Sequence, residues 1–367
     1  MRKILFVIDN LGSGGAQNQI TMLAILLKSQ GYNVEFFYYY PQLFYKHRLD
    51  DAAIQTHNFE KTSKYGLGVI YNLTRLINKN DYFVTISFLT TPNFYNVICK
   101  LFTFCKNKSI VSYRSKTVIS KLNLLERIKY NIINSVADYI LFNSFHERDN
   151  WINYFPKLSS KSSCIYNIVD YELFNKRSNY VRKNKLLVIG SVGPAKNGIL
   201  IVDALAKVRM KFDISLTWIG QKVYNIEKRK SYLEEMEKAI LLNKLNDIWN
   251  WKEPIKNINQ CFQEYDALVL ASKVEGLPNV VCEALYTGTP VIISNVLDHP
   301  ILVKDSFNGF LFDPDDSISL ASAIISFYNL SDYQYENMGN NARKFAETTF
   351  NSEKILNKYL KILDFSK

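Results

Sequence analysis

Short apolar runs alternate with amphipathic stretches along the whole chain, and that alternation predicts its architecture. Residues 4–8 are a compact apolar run, and 16–27 follow it with helical spacing. Further apolar runs at 34–40, 83–88, 110–113 and 139–142 read as buried strands separated by helical stretches. Runs that are apolar on both faces belong in a mainly parallel sheet covered by helices on each side. At 175–185 the pattern breaks into a polar, charge-rich segment that reads as a linker. It then starts again, with strands at 186–190, 214–219, 267–270 and 291–293 and helices between them. Residues 351–365 close the chain as an amphipathic helix. The expectation is an α/β protein of two doubly wound, Rossmann-like domains facing each other across a cleft. The first spans 1–175, a linker 176–185, the second 186–350, and a terminal segment 351–367. Ligands of such sheets gather at the carboxyl ends of the strands.

Composition narrows the class. A chain of 367 residues that is 47% apolar is ample for two buried cores. No apolar run reaches the length of a membrane-spanning helix, and Arg2 and Lys3 precede only a short strand, so no leader peptide is expected. Five cysteines (Cys99, Cys105, Cys164, Cys261, Cys282) without C-x2-C spacing point to reduced thiols and a cytoplasmic setting. Four scattered histidines give no metal ligand set, and neither a metal nor a cofactor is expected. The net charge of +11 lies mostly in the first 175 residues, which hold 20 of the 45 cations but only 12 of the 34 acids. Such a face meets nucleic acid, an anionic membrane surface or a phosphate-bearing acceptor, or is simply a soluble basic surface. No helix-turn-helix, zinc-finger or RNP-type motif is present, so no nucleic acid partner is expected. Peripheral contact with the inner face of the cytoplasmic membrane stays open.

The chemistry concentrates in residues 271–293, ASKVEGLPNVVCEALYTGTPVII. Glu275 falls on a loop after the strand 267–270, Pro278 and Asn279 suit a helix start, and Glu283 falls about one turn into that helix. Two carboxylates beside a helix N-terminus suit a ligand with hydroxyls for the acids and phosphate for the backbone donors. A nucleotide-activated sugar has both; a solvated acidic helix is the plain alternative. With Gly276 and Pro278 after the first acid, Glu283-Ala284-Leu285 around the second, and Gly288-x-Pro290 leading into the next strand, the segment resembles the donor site of the fourth family of retaining, GT-B-fold glycosyltransferases. Members that build capsule, O-antigen or lipid-linked oligosaccharides are the nearest in character.

The resemblance implies roles. Glu275 would hold hydroxyls of the transferred sugar, Gly276, Leu277, Pro278 and Asn279 would shape the phosphate loop, and Glu283 would take the ribose hydroxyls. Gly14-Gly15-Ala16-Gln17 matches the family's glycine-rich loop, with Gly14, Gly15 and Gln17 near donor or acceptor. A left-handed turn is the alternative for that loop. At 190–196 the family reads Gly-Arg with a lysine five residues on. Here Gly190 and Lys196 match, but Ser191 stands at the arginine, so Lys252, Lys273 or Arg114 would have to supply the second cation. Arg114 matches an arginine of some members, so Glu275, Lys196 and Arg114 form the expected catalytic set. Trp251 borders the base pocket or lies in the core. Read from the residues, Asp170 caps or ties the linker rather than reacting, and His146, on a predicted helix, is a surface or capping residue rather than a catalytic one. Phe94, Tyr95, residues 99–104, and Lys106, Lys108, Lys116, Lys121, Arg127 and Lys129 form the candidate acceptor surface. The terminal helix would pack back on the first domain. The implied activity is metal-independent, retaining transfer of a hexose or N-acetylhexosamine from a nucleotide sugar, most plausibly UDP-linked, to a glycan or polyprenyl-diphosphate-linked acceptor. An epimerase, an inverting GT-B enzyme or a non-enzymatic basic surface-binding protein are the alternatives.

Overall fold

The structure is a computed structural model that describes residues 2–103, 107–115, 117–169, 174–222, 226–255 and 258–365. Asp170, Phe104, Cys105, Lys106 and Lys116 lie outside the described residues. The chain divides into two compact units, Met1–Ile168 with Ser352–Lys367, and Val169–Asn351.

The first unit holds a seven-stranded parallel sheet: β1 (Lys3–Val7), β2 (Asn33–Tyr38), β3 (Gln55–Asn58), β4 (Tyr82–Phe88), β5 (Lys108–Tyr113), β6 (Tyr139–Phe142) and β7 (Ser162–Cys164). Their spatial order is β3-β2-β1-β4-β5-β6-β7, the doubly wound arrangement. Phe6 of β1 and Phe36 of β2 stack with ring centres 5.3 Å apart in one layer of core. The terminal helix Ser352–Phe365 adds Ile355, Leu356, Tyr359, Ile362 and Leu363 to that layer. Its apolar residues recur three and four apart, so they form one stripe facing the core.

The second unit repeats the plan with β8 (Lys185–Ile189), β9 (Ser215–Ile219), β10 (Trp249–Lys252), β11 (Ala267–Leu270), β12 (Val291–Ser294) and β13 (Gly309–Phe312). The order is β10-β9-β8-β11-β12-β13, again parallel throughout. The charge-rich segment 175–185 is held onto this unit. Arg177 is buried and donates to the Tyr265 carbonyl at 2.7 Å. Arg182 lies over Tyr335 at 4.6 Å and donates to the carbonyls of Phe327 and Leu330. Planar guanidinium groups stacked on aromatic rings bury their stems while meeting backbone acceptors, so polar sequence here does not mean a free tether.

In both units the winding reverses beside the first strand, between β1 and β4 and between β8 and β11. Loops leaving the carboxyl ends there diverge and open a crevice, the usual ligand place in open α/β sheets. No described helix is long and apolar enough to cross a membrane.

Candidate functional site

The two segments singled out in the second half of the chain leave β8 and β11, the strands that flank the reversal. After β8 the backbone turns through Gly190, whose φ of 144° favours glycine. A Cβ there would come within 2.9 Å of the Lys196 side chain, so Lys196 folds back over this turn. Trp218 Nε1 donates to the Gly190 carbonyl at 2.7 Å, and a Cβ on Gly220 would meet the same carbonyl oxygen at 1.9 Å. The short turn Pro194–Lys196 and left-handed Asn197 then start the helix Gly198–Val208.

After β11 the chain runs through Ser272 and Lys273 to Glu275. The Lys273 N–H donates to the Ala195 carbonyl at 3.1 Å, joining the two loops. Lys196 Nζ donates to Glu275 Oε1, and Ser272 Oγ donates to the same oxygen at 2.9 Å. Both ion-pair members are about one-fifth exposed. Glu275 is therefore fixed on one oxygen, while its Oε2 takes part in no described contact.

The helix Asn279–Thr287 starts after Pro278, which supplies no side-chain cap, and ends at left-handed Gly288. Glu283 lies in its second turn. It is half-buried, and burial pushes its carboxyl up to about 7. No described hydrogen bond or ion pair holds it. A desolvated carboxyl with no donor among the described residues keeps unused acceptor capacity.

Of the cations weighed for the place of Ser191, the structure favours none. Ser191 itself is exposed. Lys273 pairs with Asp315 at 2.7 Å, and Lys252 Nζ lies 3.5 Å from the Tyr265 hydroxyl. Arg114 belongs to the other unit. There it donates to Asn167 Oδ1 at 3.0 Å and to the Tyr359 hydroxyl at 2.7 Å, and it lies over Phe88 at 3.9 Å. The sequence missed Arg229, in the first turn of the helix Glu227–Leu242. Its side chain passes 3.7 Å from where a Gly193 Cβ would stand, and it forms no described ion pair. Nothing in the sequence pattern marks it.

The sequence also passed over His299. It is fully buried at the start of a short helix after β12. Its Nδ1 meets the Ser294 carbonyl at 2.7 Å, so that nitrogen carries the proton and Nε2 is an acceptor without a partner. Burial holds the ring below the ordinary histidine range, and Glu275 and Lys196 both act on it electrostatically. Ser294 Oγ donates to the Ser272 carbonyl at 2.6 Å and so braces the Glu275 loop from behind.

Trp251 packs with Trp218 and Trp249 at 5.7 and 5.6 Å, under the Lys222 ammonium. It is part of an aromatic wall at the sheet edge formed by β10. In the first unit, the glycine-rich loop contains no left-handed residue among Gly12, Gly14 and Gly15. At Gly14 a Cβ would lie 2.2 Å from Gln17 Oε1, so a side chain there would displace the Gln17 amide. Gln17 is buried and donates to Asp9 Oδ1 at 3.0 Å. Of the candidate acceptor surface, Tyr95 and Cys99 are buried, whereas Lys121 and Arg127 are exposed. His146 is exposed in the first turn of the helix Phe145–Tyr154.

Two parallel-sheet α/β units of this kind match solved structures of the GT-B fold. HepE from Anabaena in complex with UDP superposes with a TM-score of 0.86 at 18% identity, covering 99% of both chains. Residues 170–345 match the model of the family described as glycosyl transferases group 1. The chain is a glycosyltransferase. Among curated relatives, a Campylobacter jejuni protein is 23% identical over 99% of this chain and 98% of its own. It is named as an α-1,4-N-acetyl-D-galactosaminyltransferase acting on a GalNAc-containing PP-undecaprenol glycan. A UDP-Gal:α-D-GlcNAc-diphosphoundecaprenol α-1,3-galactosyltransferase of Escherichia coli is 28% identical over 45% of this chain and 44% of its own.

Proposed function

We propose that this protein moves a hexose or N-acetylhexosamine from a UDP-sugar to a sugar acceptor carried on a polyprenyl diphosphate, with retention and without a metal. The observation that carries the reading is the contrast between the two carboxylates: Glu275 is fixed by Lys196 and Ser272, and Glu283 is desolvated and unpartnered. A vicinal diol gives Glu283 the two donors it lacks, as the ribose of a nucleotide does. The free oxygen of Glu275 accepts from hydroxyls of the sugar. Gly190, Ser191, Gly276, Leu277, Pro278 and Asn279 bring backbone close to the diphosphate. Lys196 and Arg229 neutralise the charge that grows on it as the glycosidic bond breaks. The acceptor hydroxyl then attacks the face that the diphosphate leaves, and a phosphate oxygen takes its proton, so positioning and charge stabilisation carry the rate. Relatives named for undecaprenyl diphosphate-linked acceptors support the acceptor class, and the UDP complex of HepE supports the donor.

The test incubates the full chain with a panel of UDP-sugars and a sugar-linked prenyl diphosphate in EDTA, and reads the product anomer by NMR. An α-linked product from an α-linked donor is expected. Inversion, a free epimerised sugar nucleotide, or activity restored only by added metal would overturn the reading.

We also propose peripheral seating on an anionic leaflet through the helix Leu124–Val136. Leu124, Leu125 and Ile128 are exposed there beside Lys121 and Arg127, an apolar edge rimmed by cations. Leu124→Ser/Leu125→Ser should lower co-sedimentation with phosphatidylglycerol vesicles several-fold, and unchanged binding would exclude this edge.

A further inference from the structure

In the first unit, the loops after β3, β4 and β5 all leave the carboxyl end of the sheet, and together they assemble a second group of charged residues. Lys61 lies just beyond β3, where its N–H donates to the Tyr39 carbonyl at 3.0 Å. Its ammonium stands 5.8 Å from the ring centres of both Tyr40 and Tyr95. Lys129 lies in the helix Leu124–Val136, which follows β5. Its Nζ donates to Thr91 Oγ1 at 3.2 Å and lies over Phe94 at 5.5 Å. Thr91 belongs to the first turn of the helix Thr90–Phe102, which follows β4 and whose cap residue Leu89 offers no side-chain acceptor.

The two lysines stand beside neighbouring rings of that helix, Lys61 by Tyr95 and Lys129 by Phe94, whose ring centres are 6.4 Å apart. Burial holds Lys129 below its ordinary range, and the charge of Lys61 adds to that effect. Among the described residues neither forms an ion pair. The acid that acts on Lys129, Glu126, already closes the capping box of its helix by accepting from the Asn123 N–H at 2.9 Å. The site is also held in shape. Gly66 is left-handed at φ 68°, and a Cβ there would lie 2.1 Å from the Tyr95 hydroxyl and 3.4 Å from Lys61 Cε. Lys129 is half-buried with no ion-pair partner among the described residues, and Lys61, held charged against burial by Tyr95 and Tyr40, supplies a second positive centre, so an anion with two charged centres is favoured. Thr91 adds a hydroxyl donor, and only the Thr90 and Thr91 N–H groups precede Pro92 at the helix start. Phe94 and Tyr40 give the neighbouring part of the ligand an aromatic wall.

We infer that Lys61, Lys129 and Thr91 bind the diphosphate of the lipid-linked acceptor, an assignment that rests on the transferase reading above. A single phosphate would satisfy one ammonium, whereas adjacent phosphates reach both. The aromatic wall suits a prenyl diphosphate better than free inorganic pyrophosphate.

The test measures farnesyl diphosphate and inorganic pyrophosphate binding to the full chain by calorimetry in saturating UDP, so that the donor diphosphate place is filled. The variants are Lys61→Gln/Lys129→Gln, Lys129→Met, which keeps the buried stem, and Lys358→Gln on an exposed face of the terminal helix. The double variant should weaken both ligands by about tenfold or more, with farnesyl diphosphate the tighter of the two in the wild type, because charge-assisted contacts to both phosphates are lost. Lys129→Met should fall between, Lys358→Gln should match the wild type, and UDP affinity should be equal in all. Farnesyl diphosphate binding that survives in the double variant overturns the inference, as does an equal loss of UDP affinity or no diphosphate binding by a wild type that binds UDP. A wild type that fails to bind UDP overturns the transferase reading and this inference with it.

Discussion

The two units share one strand order and present opposite chemistry at the carboxyl ends of their sheets. In the second unit, acids and cations are interleaved: Lys196 and Ser272 hold Glu275, while Glu283 waits on the next helix. In the first, Lys61 and Lys129 stand beside the neighbouring rings of Tyr95 and Phe94 without an ion pair among the described residues, and Gln17 is committed to Asp9. The winding fixes where ligands gather, and the loops decide which ligands those are. A site that must grip hydroxyls and a departing diphosphate needs both signs of charge; one that holds only a diphosphate needs cations alone.

Changes that erase the acidic character of the second unit should have the largest effect. Glu275→Ala removes the acceptor for sugar hydroxyls and frees Lys196, so turnover should fall by about a hundredfold or more while UDP still binds. Steady-state kinetics decide this, and a change confined to KM would move Glu275 out of the reacting centre. Arg229→Gln comes next. Loss of one charge-assisted contact to the diphosphate predicts about a tenfold fall in kcat/KM. An unchanged value would leave Lys196 and the backbone as the whole of the diphosphate grip.

The smallest effect is on stability. Because burial raises the Glu283 carboxyl to about 7, the native state binds that proton more tightly than the unfolded chain does. Its stabilising proton is fully present below the ordinary glutamate range and is lost as pH rises towards 7. Glu283→Gln should therefore melt higher than the wild type above pH 7, by about 2–4 °C for each kcal/mol relieved, with the gap closing as pH falls below about 4.5. Equal melting at pH 8 would show that the carboxyl is solvated after all.

The second unit's site was legible because its residues lie close in sequence. Glu275, Pro278 and Glu283 fall within one strand–loop–helix passage, and Gly190 and Lys196 within another. What the sequence hid depends on contacts between distant segments. Arg229 reaches Gly193 only because the helix after β9 lies beside the loop after β8. Lys61 and Lys129 reach the neighbouring rings of Tyr95 and Phe94 only when the loop after β3 and the helix after β5 share one end of the sheet. His299 looked like one scattered histidine because nothing local reveals that it braces Ser294. The polar strands β3 (Gln55–Asn58) and β7 (Ser162–Cys164) lacked an apolar run because each is a sheet edge with one neighbour. In the glycine-rich loop, no left-handed backbone calls for Gly12, Gly14 or Gly15.

The most direct test of the central claim is calorimetry of UDP-sugar binding at pH 6 and pH 8, in buffers of different ionisation enthalpy. The diphosphate of a UDP-sugar has no group titrating in that range, so any proton exchanged belongs to the protein. If Glu283 receives the ribose hydroxyls as a carboxylate, binding at pH 6 should release a proton, affinity should rise towards pH 8, and Glu283→Gln should abolish both effects. Binding that is independent of pH and unchanged in Glu283→Gln would contradict the account.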